Sequence, residues 1–198
     1  MKYIKITLTL LLMWVATGFI AEAQMTTPSA DVQIAAAVLA APEPMREGAK
    51  VLGYNVKGEL VTLRKGTNEM ICLGDDPHKE GFSAASYHKD LEPFMARGRE
   101  LKAASKTGKE IFDMRENEVK AGQLEMPTHP STLHILSGSS YDVAAGEVVD
   151  PYFRYVVYIS YATPESTGLP AKPRAAGEPW LMDPGTHRAH IMITPPKK

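Results

Sequence analysis

Tyr152-Phe153-Arg154-Tyr155-Val156-Val157-Tyr158-Ile159-Ser160-Tyr161 is the stretch that decides the fold class. It is dense in aromatic and β-branched side chains and holds neither glycine nor proline, which suits pleated sheet. Side chains alternate between the two faces of a strand. The odd positions Phe153, Tyr155, Val157 and Ile159 therefore form an apolar row, opposed by Tyr152, Arg154, Tyr158 and Ser160. Residues 132–136 and 188–194 read in the same way. Leu133, Ile135, Ala189, Ile191 and Ile193 are their apolar members, and His134, Arg188, His190 and Met192 lie on the other parity. Three such segments predict a C-terminal set of antiparallel strands.

Moving toward the N-terminus, helix signals replace strand signals. Thr107 and Glu110 have the spacing of a capping box, so a helix is expected from there to a stop at Gly122. Before it, Leu91, Phe94, Met95, Gly98 and Leu101 share one helical face, with Asp90 as cap and Pro93 tolerated in the first turn. Residues 49–54, 59–64 and 69–73 read as three short strands separated by turn chemistry at 55–58 and 65–68, a small antiparallel meander. Residues 74–89 read as loop. Alanine-rich residues 31–40 predict a short helix, capped by Ser29 or Asp31 and broken by Pro42 and Pro44. The fold class is α+β: antiparallel strands with an N-terminal helix and two central helices packed on one sheet face. Between the last two strands, 162–187 carries five prolines and reads as a long loop.

The chain opens with a secretory pattern. Lys2 and Lys5 precede an apolar run over 6–20, and Ala21-Glu22-Ala23 gives the small-x-small cleavage pattern. Cleavage near Ala23 leaves 175 of the 198 residues, the size of one domain, with 24–45 as leader and helix. The apolar run is shorter than the roughly 20 residues of a bilayer span. The expected location is periplasmic or extracellular. Losing Lys2, Lys5 and Glu22 moves the formal charge from −1 to −2. That balance offers no basic stripe to nucleic acid. Cys72 is the only cysteine, so no internal disulfide forms.

Ala40-Ala41-Pro42, Gly48-Ala49-Lys50-Val51, Leu63-Arg64-Lys65-Gly66-Thr67-Asn68 and Cys72 together resemble a group of uncharacterised exported bacterial proteins with a Leu-Arg-x-Gly-Thr-Asn…Cys signature. The resemblance covers about a quarter of the chain. It implies export and a compact domain, and no reaction. Members carry Gly after the Asn and a second Cys, whereas here Glu69 follows Asn68 and Ala84-Ala85-Ser86 stands where that Cys is expected.

No Gly-x-Ser-x-Gly elbow, His-Glu-x-x-His pair, Cys-x-x-Cys pair or P-loop is present. Cys72 alternates with Met70 beside Ile71 and Leu73, the setting of a buried apolar thiol rather than a nucleophile. The remaining candidate is the polar parity of the C-terminal strands. If these share one sheet, His134, Arg154, Tyr158, Arg188 and His190 gather on one face and suit a small anionic ligand or a component of the cell envelope. A solvated sheet face also carries such residues without a ligand. The alternative is a zinc or copper site, for a metal-assisted hydrolase or a metal-handling protein, built from His134, Asp183, His187 and His190. His187 and His190 are three apart, so both reach one ion only if His187 lies in the preceding loop.

Overall fold

The computed structural model describes residues 27–197; the predicted leader and its cleavage point lie outside the described residues. The chain is α+β. One large sheet contains eight strands in the order β2-β1-β3-β4-β5-β8-β10-β9: β1 (Lys50–Tyr54), β2 (Leu60–Arg64), β3 (Met70–Leu73), β4 (Phe82–His88), β5 (Ser131–Gly138), β8 (Tyr152–Tyr158), β9 (Trp180–Met182) and β10 (His190–Ile193). β6 (Ser140–Asp142) and β7 (Glu147–Val149) form a separate ribbon between β5 and β8. The helices are α1 (Ala30–Ala37), α2 (Glu92–Ala103), α3 (Gly108–Lys120) and the single turn α4 (Pro164–Thr167). None is long and apolar enough to cross a bilayer.

Direct cross-strand partners share a sheet face, so the register sorts every side chain. One row runs Ile71, Tyr87, Leu133, Val156, Met192 and Trp180 across five strand pairings. It joins the core that Leu91, Phe94 and Leu124 close from the side of α2 and α3. The opposite row runs Val51, Cys72, Ser86, His134, Tyr155 and Ile193. Here α1 and the following 3-10 turn Val38–Ala40 press small residues onto the sheet: Ala36 and Ala40 against Ala84 and Leu136, and Ala37 and Ala41 against Val51, Met70 and Cys72. The central helices thus cover one face, while the N-terminal helix occupies the other.

Local chemistry explains the ends. Ser29 caps α1, Thr107 and Glu110 complete the capping box of α3, and Gly122 takes the left-handed conformation, φ +69°, that stops it. Asp90 sits in the 3-10 turn Lys89–Leu91 rather than capping α2 itself. Arg97 of α2 grips both carboxylate oxygens of Glu118 on α3, at 2.7–3.1 Å, which fixes the two helices to each other.

Three sequence expectations change. The meander is not simple: β1 pairs with β2 as a hairpin, but β3 returns parallel to β1 and leaves β2 at the sheet edge. Residues 74–89 are not all loop, because β4 lies in the middle of the sheet between β3 and β5. The 162–187 segment contains α4 and the edge strand β9.

The residues of the Leu-Arg-x-Gly-Thr-Asn stretch hold a corner together. Arg64 donates to the carbonyls of Ala49, at 2.9 and 3.0 Å, and Arg46. Asn68 donates to the Met45 carbonyl at 2.7 Å and accepts from the Met70 amide. A Cβ on Gly66 would stand 2.7 Å from the Lys50 nitrogen, so only glycine fits that approach.

Candidate functional site

α3 presents Phe112, Arg115 and Val119 at helical spacing toward the sheet, so a cation sits in the middle of an otherwise apolar stripe. Arg115 is 8% exposed. Its guanidinium stacks over the Phe94 ring, 3.8 Å from the centroid, and donates to the Phe94 carbonyl at 3.2 Å. Gly98 leaves the space for it, since a Cβ there would stand 2.9 Å from Nη1. Its Nε has no hydrogen-bond partner, and among the described residues no carboxylate lies within ion-pairing distance. Burial lowers its pKa to about 10, so it remains charged at neutral pH.

The segment after β9 folds back against this helix. The amide of His187 donates to Glu116 Oε2 at 2.8 Å, and its Nδ1 lies 2.5 Å from the same oxygen. Glu116 also takes an ion pair from Lys120 at 2.8 Å. His187 is fully buried between Phe94 and Phe112, with ring centroids 5.6 and 5.0 Å away. Burial holds its pKa below the ordinary value despite the carboxylate. The neutral ring that donates from Nδ1 leaves Nε2 as an acceptor, and that atom is buried without a partner.

Next to it, Arg188 pairs with Asp183 at 2.7 Å and lies over Phe112 at 4.9 Å. His190 donates through Nδ1 to the Arg188 carbonyl, 2.7 Å away, and its ring packs 5.1 Å from that of Tyr158. Tyr158 and His190 are direct cross-strand partners, and both are buried. Burial raises the phenol's pKa and lowers the imidazole's. The result is a buried cluster of two arginines, two imidazoles and aromatic rings between α2, α3 and the ends of β8 and β10.

Of the sequence-predicted residues, Tyr158, Arg188 and His190 come together here, and His187 and Asp183 join them from the loop. Arg154 shares their sheet face but lies four residues along β8 from Tyr158, roughly 13 Å away. His134 does not belong. It pairs with Tyr155, packs against that ring at 5.5 Å, and faces the α1 side. The expected grouping placed Leu133 with Tyr155, whereas the β5–β8 register places Leu133 with Val156, a one-residue offset that moves the whole strand to the other face. The metal set His134, Asp183, His187 and His190 therefore does not converge, because His134 is across the sheet and the other three are engaged by the Arg188 carbonyl, Arg188 and Glu116. Arg115 was missed, although a charged residue on the apolar stripe of a helix was a readable signal; Glu116 is legible as the helical partner of Lys120, but its contact with the distant His187 is not. Cys72 is fully buried on the α1 face, and burial pushes its thiol up to about 11, far from a reactive thiolate.

Comparison with protein-family models, with curated proteins and with solved structures gives no match.

Proposed function

We propose that the chain is an exported, non-catalytic binding module that takes a small anionic ligand at the cluster of Arg115, Tyr158, His187, Arg188 and His190. The observation that carries this reading is Arg115: a guanidinium almost wholly removed from water, with a free Nε and, among the described residues, no carboxylate within ion-pairing distance. A buried charge lacking a partner costs several kcal/mol, and an anion would offset that cost. The guanidinium fork suits a planar or tetrahedral oxyanion through paired hydrogen bonds. Tyr158 and His190 supply neutral hydrogen-bonding groups beside it, and Arg188, about a third exposed, connects the cluster to solvent. Export follows from the leader pattern of residues 1–23.

Calorimetric titration with inorganic phosphate, sulfate and citrate tests the reading. At least one of these anions binds saturably to the wild type, and the Arg115→Gln/Arg188→Ala variant binds it at least tenfold more weakly. Absence of saturable binding of all three, or equal affinity in the variant, overturns the assignment.

A further inference from the structure

We infer that His88, Asp90 and His129 form a binding site for a divalent ion of the zinc class, separate from the cationic cluster. Among the described residues they are the one group of three His, Cys, Asp or Glu side chains whose ligand atoms all lie within 4.8 Å of one another. Three different elements deliver them. His88 ends β4, Asp90 follows in the 3-10 turn, and His129 comes from the connection between α3 and β5, held between Pro127 and Pro130. The Lys89 amide donates to the Glu69 carbonyl at 2.8 Å, which fixes the turn that carries Asp90 to the end of β3.

The spacing fits a tetrahedral ion. With metal–ligand distances of about 2.1 Å, two ligands of one tetrahedral ion stand about 3.4 Å apart. Asp90 Oδ2 lies 3.1 Å from His129 Nε2 and 3.4 Å from His88 Nδ1. The Asp90 amide also approaches His88 Nδ1 from 3.4 Å, a long hydrogen bond that a metal at Nδ1 would replace. The three side chains are 29%, 34% and 56% exposed, so an ion from solvent reaches them. Two imidazoles and one carboxylate are borderline donors that suit zinc over calcium or magnesium. The set leaves a fourth position open, and His129 also lines a surface groove of about 420 Å³ with Ile159, Tyr161 and Ser166.

Zinc titration of the purified protein by calorimetry decides the matter, with His129→Ala, Asp90→Asn and His134→Ala/His190→Ala beside the wild type. His129 is a half-exposed loop side chain, so its removal spares the fold, and circular dichroism checks each variant. The wild type takes up one zinc per chain, His129→Ala and Asp90→Asn bind it at least tenfold more weakly, and His134→Ala/His190→Ala matches the wild type. No saturable zinc binding by the wild type, or unchanged affinity in His129→Ala, overturns the site. Neither result bears on anion binding at Arg115, which is read in a separate titration.

Discussion

Glu116 and His187 show how one contact can tie a helix, a loop and a proton together. Burial alone would raise the carboxyl's pKa, but hydrogen bonds from Lys120, the His187 amide and the His187 ring bring it down to about 2. Its usual value is 4.5, so the unfolded chain binds the proton more readily, and stability rises with pH between about 2 and 4.5. His187, His190 and His134 are all lowered from 6.5, first by burial. For these rings too the unfolded chain binds the proton more readily, so their contribution is complete above 6.5 and declines as pH falls below it. Thermal melts from pH 8 to pH 3 are therefore expected to show two successive losses of stability, one beginning below 6.5 and one below 4.5. Glu116→Gln keeps the first and weakens the second, to which Asp76, Glu110, Glu165 and Glu178, also lowered, still contribute, while its melting temperature at neutral pH drops by the equivalent of about 1–3 kcal/mol for a charged hydrogen bond. A Glu116→Gln profile that parallels the wild type at every pH would show that this carboxylate is not the titrating group.

At the scale of elements, close approach explains what propensity does not. β4 consists largely of Ser and Ala, which score poorly as strand formers, yet it is central to the sheet. Its small side chains admit the N-terminal helical segment: Ala84 and Ser86 are fully buried, and the Ser86 hydroxyl donates to the Ala40 carbonyl at 2.9 Å. The helix is then stapled to β1 by Gln33, which donates to the Tyr54 and Pro28 carbonyls and accepts from the Tyr54 amide, all at 2.8–2.9 Å. Gly53 is part of this staple, because a Cβ there would stand 2.6 Å from Gln33 Oε1 and 2.4 Å from Leu63. Gly53→Ala is expected to destabilise the protein by about 1–3 kcal/mol through overpacking. Gly108→Ala, at the open first position of α3 with nothing within 4 Å, is expected to be neutral or to stabilise by about 0.5 kcal/mol. Urea unfolding of the two variants separates these effects, and equal midpoints would contradict the close approach at Gly53.

The whole molecule was legible where one strand or one helix carried its own signal. The capping box, the stop at Gly122 and the strands around 133–136, 152–158 and 190–193 follow from side chains a few residues apart. What depends on how distant strands meet was not legible. Parity within β5 and within β8 could be read, but their relative parity is set by a register fixed across the β6–β7 ribbon, and it puts His134 and His190 on opposite faces. The alternation also misled about depth. The apolar row at Tyr155 is 37% exposed, while Val156 and Tyr158 are buried, because α2 and α3 cover the face that carries the polar residues. A sheet that buries cations under helices has accepted a local cost. Arg115 is the clearest instance, and its effect on global stability is testable. Replacing buried ion pairs with apolar side chains of similar volume is often neutral or stabilising by about 1–4 kcal/mol, and a charge with no ion-pair partner has less attraction to lose. If Arg115 is retained for a ligand, Arg115→Met should raise the midpoint of urea unfolding while abolishing anion binding. A stabilised variant that still binds the anion would remove Arg115 from the site. A variant destabilised by several kcal/mol would instead make the Phe94 stacking and carbonyl contacts the reason for its burial.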